Sequence, residues 1–319
     1  MKIAIIGSSM VDLTTYTDIL PAEGETCEAR RFHIGYGGKG ANQAIAAARL
    51  GAEVMMVSAV GEDVFSHGII HHLKKNGVDT RYVKSVKGAH SDVAPIFVSS
   101  NAANCILTIQ DAGKQLTPQD IADSAESLKR CQLIVLQLES PLPTVYYAIN
   151  FGQQHNIPVI LNPAPASRKL EIGYASLCDF IIPNETELEI LSGMPINTKE
   201  DAIVAGGTLL DKGVNNLIVT LGRNGALWLS HKGVYHVTPP AVNAVDTSGA
   251  GDAFIGCFSY FYLETKNIKK SIDYATLYAT CSVQGRGTAS SYLDAAQFNK
   301  FVIHHTQGNS DDKIRVWHK

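Results

Sequence analysis

The chain has 319 residues, with 27 Lys and Arg against 30 Asp and Glu, and a net charge of −3 with histidines neutral. That balance supplies no basic excess for a nucleic-acid groove, and a 45% hydrophobic content excludes a disordered chain. The length suffices for one large α/β core, and 27 glycines are close to ordinary usage, so their placement tells more than their number.

The N-terminal Lys2-Ile3-Ala4-Ile5-Ile6-Gly7 is a short apolar run ended by glycine. It falls below the about 7–15 apolar residues of a secretory signal and predicts a buried first strand. Thr14–Ile34 shows no helical period. In Gly40–Leu50, Ala41, Ala44, Ile45 and Ala48 fall at i, i+3, i+4 and i+7, a narrow face of small residues that allows close approach. Val54–Ser58, Leu133–Leu136, Pro158–Leu161, Phe180–Ile182 and Leu217–Thr220 are nearly continuous apolar runs, as expected of parallel strands buried on both faces. Their alternation with helical patterns predicts a mostly parallel sheet covered by helices. Val93–Val98 and Cys105–Ile109 read as a hairpin about a polar tip. Together with Thr14–Ile34 they predict a small separate sheet, either a lid over a site or an edge hairpin.

Thr117-Pro118 predicts a helix start with proline in first position. His67, His71 and His72 have helical spacing but no carboxylate to complete a zinc set, and read as a solvated face. The longest apolar stretch, Ala253–Leu263, is shorter than the ~18–20 residues of a membrane span, so no membrane partner is expected. The six cysteines, Cys27, Cys105, Cys131, Cys178, Cys257 and Cys281, form no C-x-x-C pair and are expected as free thiols in a cytoplasmic protein. Gln307–Lys319 is a mostly polar tail, expected to fray.

Four segments carry chemistry. Asn243-Ala244-Val245-Asp246-Thr247-Ser248-Gly249-Ala250-Gly251-Asp252 runs into an apolar helix. Glycine-rich backbone turning into a helix leaves N–H groups unpaired at the positive end of the dipole, a natural anion site. Asp252 beside it suits a base that deprotonates a hydroxyl attacking a phosphoryl group; a plain helix start is the other reading. Gly35-Tyr36-Gly37-Gly38-Lys39-Gly40-Ala41-Asn42-Gln43 contains G-x-G-x-x-G, but about thirty residues after the first strand, the wrong place for a dinucleotide fingerprint. Lys39 at a helix start opposes the dipole, a broken local rule of the kind found at functional sites. Pro183-Asn184-Glu185-Thr186-Glu187 places Asn184 and Glu187 on one helical face, able to approach Mg²⁺ directly or through water, or simply to cap the helix. Thr220-Leu221-Gly222-Arg223-Asn224-Gly225 reads either as a nucleotide loop or as a strand-to-hairpin turn.

In this order the segments resemble the ribokinase (PfkB-type) family of carbohydrate kinases, over roughly Lys2 to Thr306, with signatures at Gly37–Gln43 and Asp246–Asp252. The resemblance implies a three-layer α/β/α fold with a mostly parallel central sheet and a small β-sheet lid. One kinase domain would span 1–306, with lid elements at about 14–34 and 93–109, and the tail 307–319 would lie outside it. It also implies a homodimer through the lid sheet. Asp252 would be the catalytic base, and the N–H groups of Gly249, Ala250 and Gly251 would stabilise the transferred phosphoryl. Asp12, Gly38, Lys39, Asn42 and Glu139 would hold the sugar. Thr220, Gly222, Gly225, Asn184 and Gly251 would line the ATP site, with Asn184 and Glu187 near Mg²⁺. Asp246, Ser248, Ser282, Gly285, Gly287 and Ser291 would form a K⁺ site.

Two positions depart from the ribokinase pattern. In Gly7-Ser8-Ser9-Met10-Val11-Asp12, Met10 stands where ribokinases have a sugar-binding Asn. A thioether suits a methylene, whereas an amide left without its hydroxyl partner would be penalised. Together with the wider similarity of the chain, this implies 2-deoxy-D-ribose as the expected substrate, phosphorylated at its 5-hydroxyl. Ribose or another small sugar is the alternative, and a sugar-binding regulatory protein the non-enzymatic one. Ala275 stands where ribokinases can carry an Asn near the adenine, so base recognition is expected to use shape and apolar contact.

Overall fold

In the computed structural model, which describes residues 1–99 and 104–306, the apolar runs become buried strands. The first seven are β1 (Lys2–Ile6), β2 (Met10–Thr17), β3 (Arg31–Gly37), β4 (Glu53–Gly61), β5 (Val78–Val86), β6 (Asp92–Ser99) and β7 (Asn104–Ile106). The rest are β8 (Leu133–Gln137), β9 (Val159–Asn162), β10 (Phe180–Ile181), β11 (Leu217–Thr220), β12 (Ala226–Ser230) and β13 (Gly233–Val237). The main sheet has the order β13-β12-β11-β10-β9-β8-β1-β4-β5. It is parallel from β11 to β5, with β12 and β13 as an antiparallel edge hairpin.

Successive side chains of a strand point to opposite faces, and β1 and β8 show what that does. Ile3, Ile5, Leu133 and Val135 enter one apolar core with the helices Lys39–Arg49, Ala250–Thr265 and Ile268–Ser282. Ala4, Ile6, Ile134 and Leu136 enter a second with the helices Leu142–His155, Glu185–Ser192 and Lys199–Asp211. The result is the expected three-layer α/β/α arrangement. The carboxyl ends of the parallel strands open on one edge, where ligands of such sheets bind.

A second sheet, β3-β2-β6-β7, stands apart from the first. β2 pairs antiparallel with β3 and parallel with β6, from Met10 opposite Gly37 and Asp92 onward. Its strands begin earlier than expected, at Met10 and Asp92 rather than near Thr14 and Val93, because main-chain pairing starts directly after the β1 turn. No strand is present between Thr17 and Arg31. Part of the hairpin tip and the tail 307–319 lie outside the described residues.

Three strands were not legible in the sequence. β5 is only half buried and mixes charged with apolar residues, and β12–β13 is an edge hairpin whose outer strand is largely exposed. Thr117 caps Pro118–Asp123 with Asp120 in a reciprocal capping box. His67 and His71 are exposed as expected, but His72 is half-buried and stacks on Tyr36 with ring centroids 5.4 Å apart. All six cysteines are free. Among the described residues, no helix is long and apolar enough to cross a membrane, and no group of three His, Cys, Asp or Glu could hold a metal ion. Ala275 is fully buried in the first core.

The helices Lys39–Arg49 and Ala250–Thr265 pack unusually closely. A Cβ on Gly256 would lie 2.5 Å from Ala46 Cβ and 2.7 Å from the Gln43 carbonyl oxygen. Gly256→Val should therefore force the two helices apart, destabilising the fold by about 1–3 kcal/mol and lowering activity. Urea denaturation checks this; wild-type stability would show that the contact yields without cost.

Candidate active site

Gly249 ends the loop before the helix Ala250–Thr265 with φ 73°, a left-handed conformation that favours glycine. The Tyr292 hydroxyl donates to its carbonyl at 2.8 Å, and a Cβ on Gly249 would lie 2.7 Å from that hydroxyl. The first-turn N–H groups of a helix lack intrahelical acceptors. Ala253 N–H already reaches the Gly249 carbonyl at 2.8 Å, and Ala250 N–H makes a long bond of 3.3 Å to the Thr247 carbonyl. The N–H groups of Gly249, Gly251 and Asp252 have no backbone acceptor and remain as donors for an anion. A Cβ on Gly251 would meet nothing within 4 Å. No protein atom requires glycine there, which fits a surface kept bare for a ligand.

Asp252, in that first turn, is buried. Gln43 Nε2 donates to its Oδ1 and Asn42 Nδ2 to its Oδ2, each at 3.0 Å. Burial pushes its pKa above the usual carboxylate range, while the Lys39 charge and the two amides act in the other direction. Lys39 explains its own broken rule. Burial alone would lower its pKa, but Asp252, Glu139 and Glu187 outweigh that and raise it. The lysine faces three carboxylates, whose charges hold its proton, rather than complementing its helix.

One pocket is lined by Lys39, Asn184, Glu187, Thr220, Gly249, Ala250, Gly251 and Asp252, together with Asn162 and Thr247. These come from the carboxyl ends of β9 and β11, the loop after β10 and the starts of three helices. Asn184 and Glu187 form a reciprocal capping box: Glu187 N–H donates to Asn184 Oδ1, and Asn184 N–H and Nδ2 donate to the Glu187 carboxylate. The cap does not exhaust a carboxylate's lone pairs, so a buried Glu187 facing the pocket still fits a hydrated Mg²⁺. Gly222 and Gly225 lie outside the pocket lining, in the turn from β11 to β12. There Leu221 N–H donates to the Gly225 carbonyl at 2.7 Å. The segment is thus a strand-to-hairpin turn whose first residue, Thr220, borders the pocket.

The small sheet and the loops after β3 and β8 carry the remaining sugar-site candidates. Met10 is buried in β2, and Asp12 packs so tightly on β3 that a Cβ at Gly37 would lie 2.5 Å from Asp12 Oδ2. Gly38 (φ 93°) would place a Cβ 2.9 Å from Ser9 Cα. Glu139 accepts Lys39 N–H at 2.9 Å and the Ser8 hydroxyl. Burial, then Glu139 and Asp252, push the Asp12 carboxyl up to about 6.

The K⁺ candidates come from two loops stitched together. Asp246 accepts Ser248 N–H and Gly287 N–H at 2.9 Å each, and the Val283 carbonyl accepts from Val245 and Asp246. Gly285 sits against Ser291, where a Cβ would lie 2.7 Å from Ser291 Cβ. Hard oxygens of carboxylate, hydroxyl and carbonyl type fit a hard cation.

Sequence reasoning assigned no role to Ser8, Gln43, Gln137, Asn162, Thr247 or Tyr292. A signal for three of them was available. Ser8, Gln137 and Asn162 are polar residues that end or follow apolar strand runs, where ligand-binding groups of parallel sheets sit. Tyr292 had none, because its partner is 43 residues away.

A model of the pfkB family of carbohydrate kinases matches residues 1–296. A deoxyribokinase of Salmonella typhi is 55% identical over 302 residues, covering 95% of this chain and 99% of that one. A ribokinase of Mus musculus is 34% identical over 294 residues, 91% of each chain. The structure of an Arabidopsis thaliana ribokinase complexed with ribose and ATP superposes with a TM-score of 0.88 at 29% identity, covering 94% of this chain and 97% of that one.

The raised pKa of Asp12 has a consequence for stability. The folded protein holds this proton more tightly than the unfolded chain, so the contribution is present below the ordinary carboxylate range and is lost as pH rises through about 6. Asp12→Asn, which cannot ionise, should gain about 2 kcal/mol relative to wild type between about pH 4 and about pH 8. Urea titrations at the two pH values measure this, and a constant difference would contradict it.

Proposed function

Because the chain belongs to the pfkB family of carbohydrate kinases, we propose that it transfers the γ-phosphoryl of ATP to the 5-hydroxyl of 2-deoxy-D-ribose, giving 2-deoxy-D-ribose 5-phosphate and ADP. The observation that carries the reading is Asp252. It is a buried carboxylate that receives only donors from Gln43 and Asn42, one turn from bare helix N–H groups. Asp252 takes the proton of the sugar's 5-hydroxyl as that oxygen attacks the γ-phosphorus in line, and ADP leaves. The N–H groups of Gly249, Gly251 and Asp252, with Ala250 shaping the turn, meet the charge on the transferred group. Lys39 adds the one cation among the carboxylates.

Asp12, Gly38, Asn42 and Glu139 would orient the sugar, which positions the hydroxyl before any chemistry occurs. Thr220, Gly222, Gly225 and Asn184 would lie along the nucleotide. Mg²⁺, approached by Asn184 and Glu187, neutralises phosphate charge when bound. Asp246, Ser248, Ser282, Gly285, Gly287 and Ser291 would hold K⁺, whose charge helps shape the adjoining turn.

The preference for the deoxy sugar rests on Met10, buried on β2 two residues from Asp12 and lacking any group that demands a hydroxyl. The 55% identity to a deoxyribokinase supports it. The small sheet acts as a lid, and a second copy would cover its outer face. There Phe32 and Ile34, on the face opposite Asp12, are 56% and 44% exposed. Free thiols suit a cytoplasmic enzyme.

A coupled assay of ADP release over a pentose panel, with and without K⁺, tests the reading. Turnover highest with 2-deoxyribose supports it, and sugar binding without ADP release would leave a binding protein instead. Asp252→Asn should lower kcat by about 10³-fold with sugar affinity nearly kept; near-normal turnover removes Asp252 from the chemistry. Met10→Asn should move the ratio of kcat/KM values about tenfold toward ribose, whereas an unchanged ratio would place substrate choice elsewhere.

A further inference from the structure

Behind the pocket a chain of buried amides runs from the sheet to Asp252. Asn162 Nδ2 donates to the Ile182 carbonyl at 2.8 Å. A carbonyl only accepts, so the amide orientation of Asn162 is settled and its Oδ1 turns toward Gln43. Gln43 Nε2 donates to that oxygen at 3.2 Å and to Asp252 Oδ1 at 3.0 Å, and Gln43 Oε1 accepts from Gln137 Nε2 at 2.6 Å. Gln137 is pinned in turn against Gly7, where a Cβ would lie 1.8 Å from Gln137 Oε1. Gln43 and Gln137 are fully buried and Asn162 nearly so. Turning the Gln43 amide over would set its oxygen against two other acceptors, Asn162 Oδ1 and Asp252 Oδ1. Each such mismatch leaves buried polar groups unpaired at high cost.

We propose that Gln43 is the positioning residue of the catalytic base: Asn162 locks its amide, with Gln137 donating from behind, so that it presents only a donor to Asp252 Oδ1. A donor stabilises the ionised carboxylate, the form that can accept the sugar's proton, and disfavours the acid. That matters because the surroundings are otherwise divided. Lys39, from the same helix as Gln43, favours the anion. Burial opposes it, as do the charges of Glu139 after β8, Glu187 on its helix and Asp12 on β2; the Tyr292 ring packs nearby from the C-terminal side. Gln43 does not line the pocket, so it acts through Asp252 rather than on the substrate.

This inference rests on the kinase reading, and the dependence of kcat on pH at saturating sugar and ATP tests it. Base activity is lost as pH falls through the pKa of Asp252. Removing a donor raises that pKa, so Gln43→Met should move the acidic limb upward by about one pH unit. KM for the sugar should stay within about threefold, and kcat should recover at high pH. Gln137→Met, which removes the donor to Gln43 Oε1 and loosens the amide while Asn162 still holds it, should move the limb the same way by less. A lower kcat at every pH with an unmoved limb would overturn the proposal and leave Gln43 a packing residue. If Gln43→Met does not fold, Gln137→Met decides alone, an unmoved limb again being the contrary result. Should the wild type turn over no pentose, the kinase reading falls separately. The ¹³C carboxyl shift of Asp252, followed against pH in wild type and Gln137→Met, then reads the same displacement or its absence.

Discussion

The helices Lys39–Arg49 and Ala250–Thr265 meet at Gly256, and the candidate site depends on that meeting. Only a residue without a side chain lets Ala250–Thr265 pass within contact of the Gln43 carbonyl and Ala46. Because the backbones come this close, the short side chains of Asn42 and Gln43 reach both oxygens of Asp252. The same approach brings Lys39, at the head of one helix, to the Gly249–Asp252 turn at the head of the other. Proximity of this kind is created by packing, and it precedes any chemistry the residues perform.

Charge at the site is handled locally. Four carboxyl groups, Asp12, Glu139, Glu187 and Asp252, are all pushed upward by burial, and Lys39 is the cation that faces three of them. The surplus negative charge suits a site that receives a metal ion with a polyphosphate. Backbone N–H groups and dipoles contribute the rest of the positive potential. A chain with net charge −3 can therefore handle a triphosphate without a basic surface.

Much of this was legible in the residues. Continuous apolar runs gave six of the main strands, and Gly37–Gln43 and Asp246–Asp252 marked the two halves of the site, because glycine placement records where backbone must come close or turn left-handed. Other features were hidden for identifiable reasons. β5 and β13 are the edge strands of the main sheet, where half-exposed residues break the continuous pattern, and β12 pairs with β13 as a short antiparallel hairpin. The Asn162–Gln43–Gln137 chain joins residues more than ninety positions apart, and no local period reports such a contact. Asn184 and Glu187 were ambiguous, and the structure shows why: the spacing that faces a pocket is also the spacing of a capping box.

If the base, the bare turn and Met10 are arranged for one reaction, its product has a defined bond. ³¹P NMR of the protein with ATP, Mg²⁺, K⁺ and 2-deoxy-D-ribose observes that bond directly. A phosphate monoester coupled to the two protons of the sugar's 5-methylene, formed in step with ADP, is the expected spectrum. Unchanged ATP, release of inorganic phosphate without a sugar ester, or a monoester coupled to the single anomeric proton would contradict it.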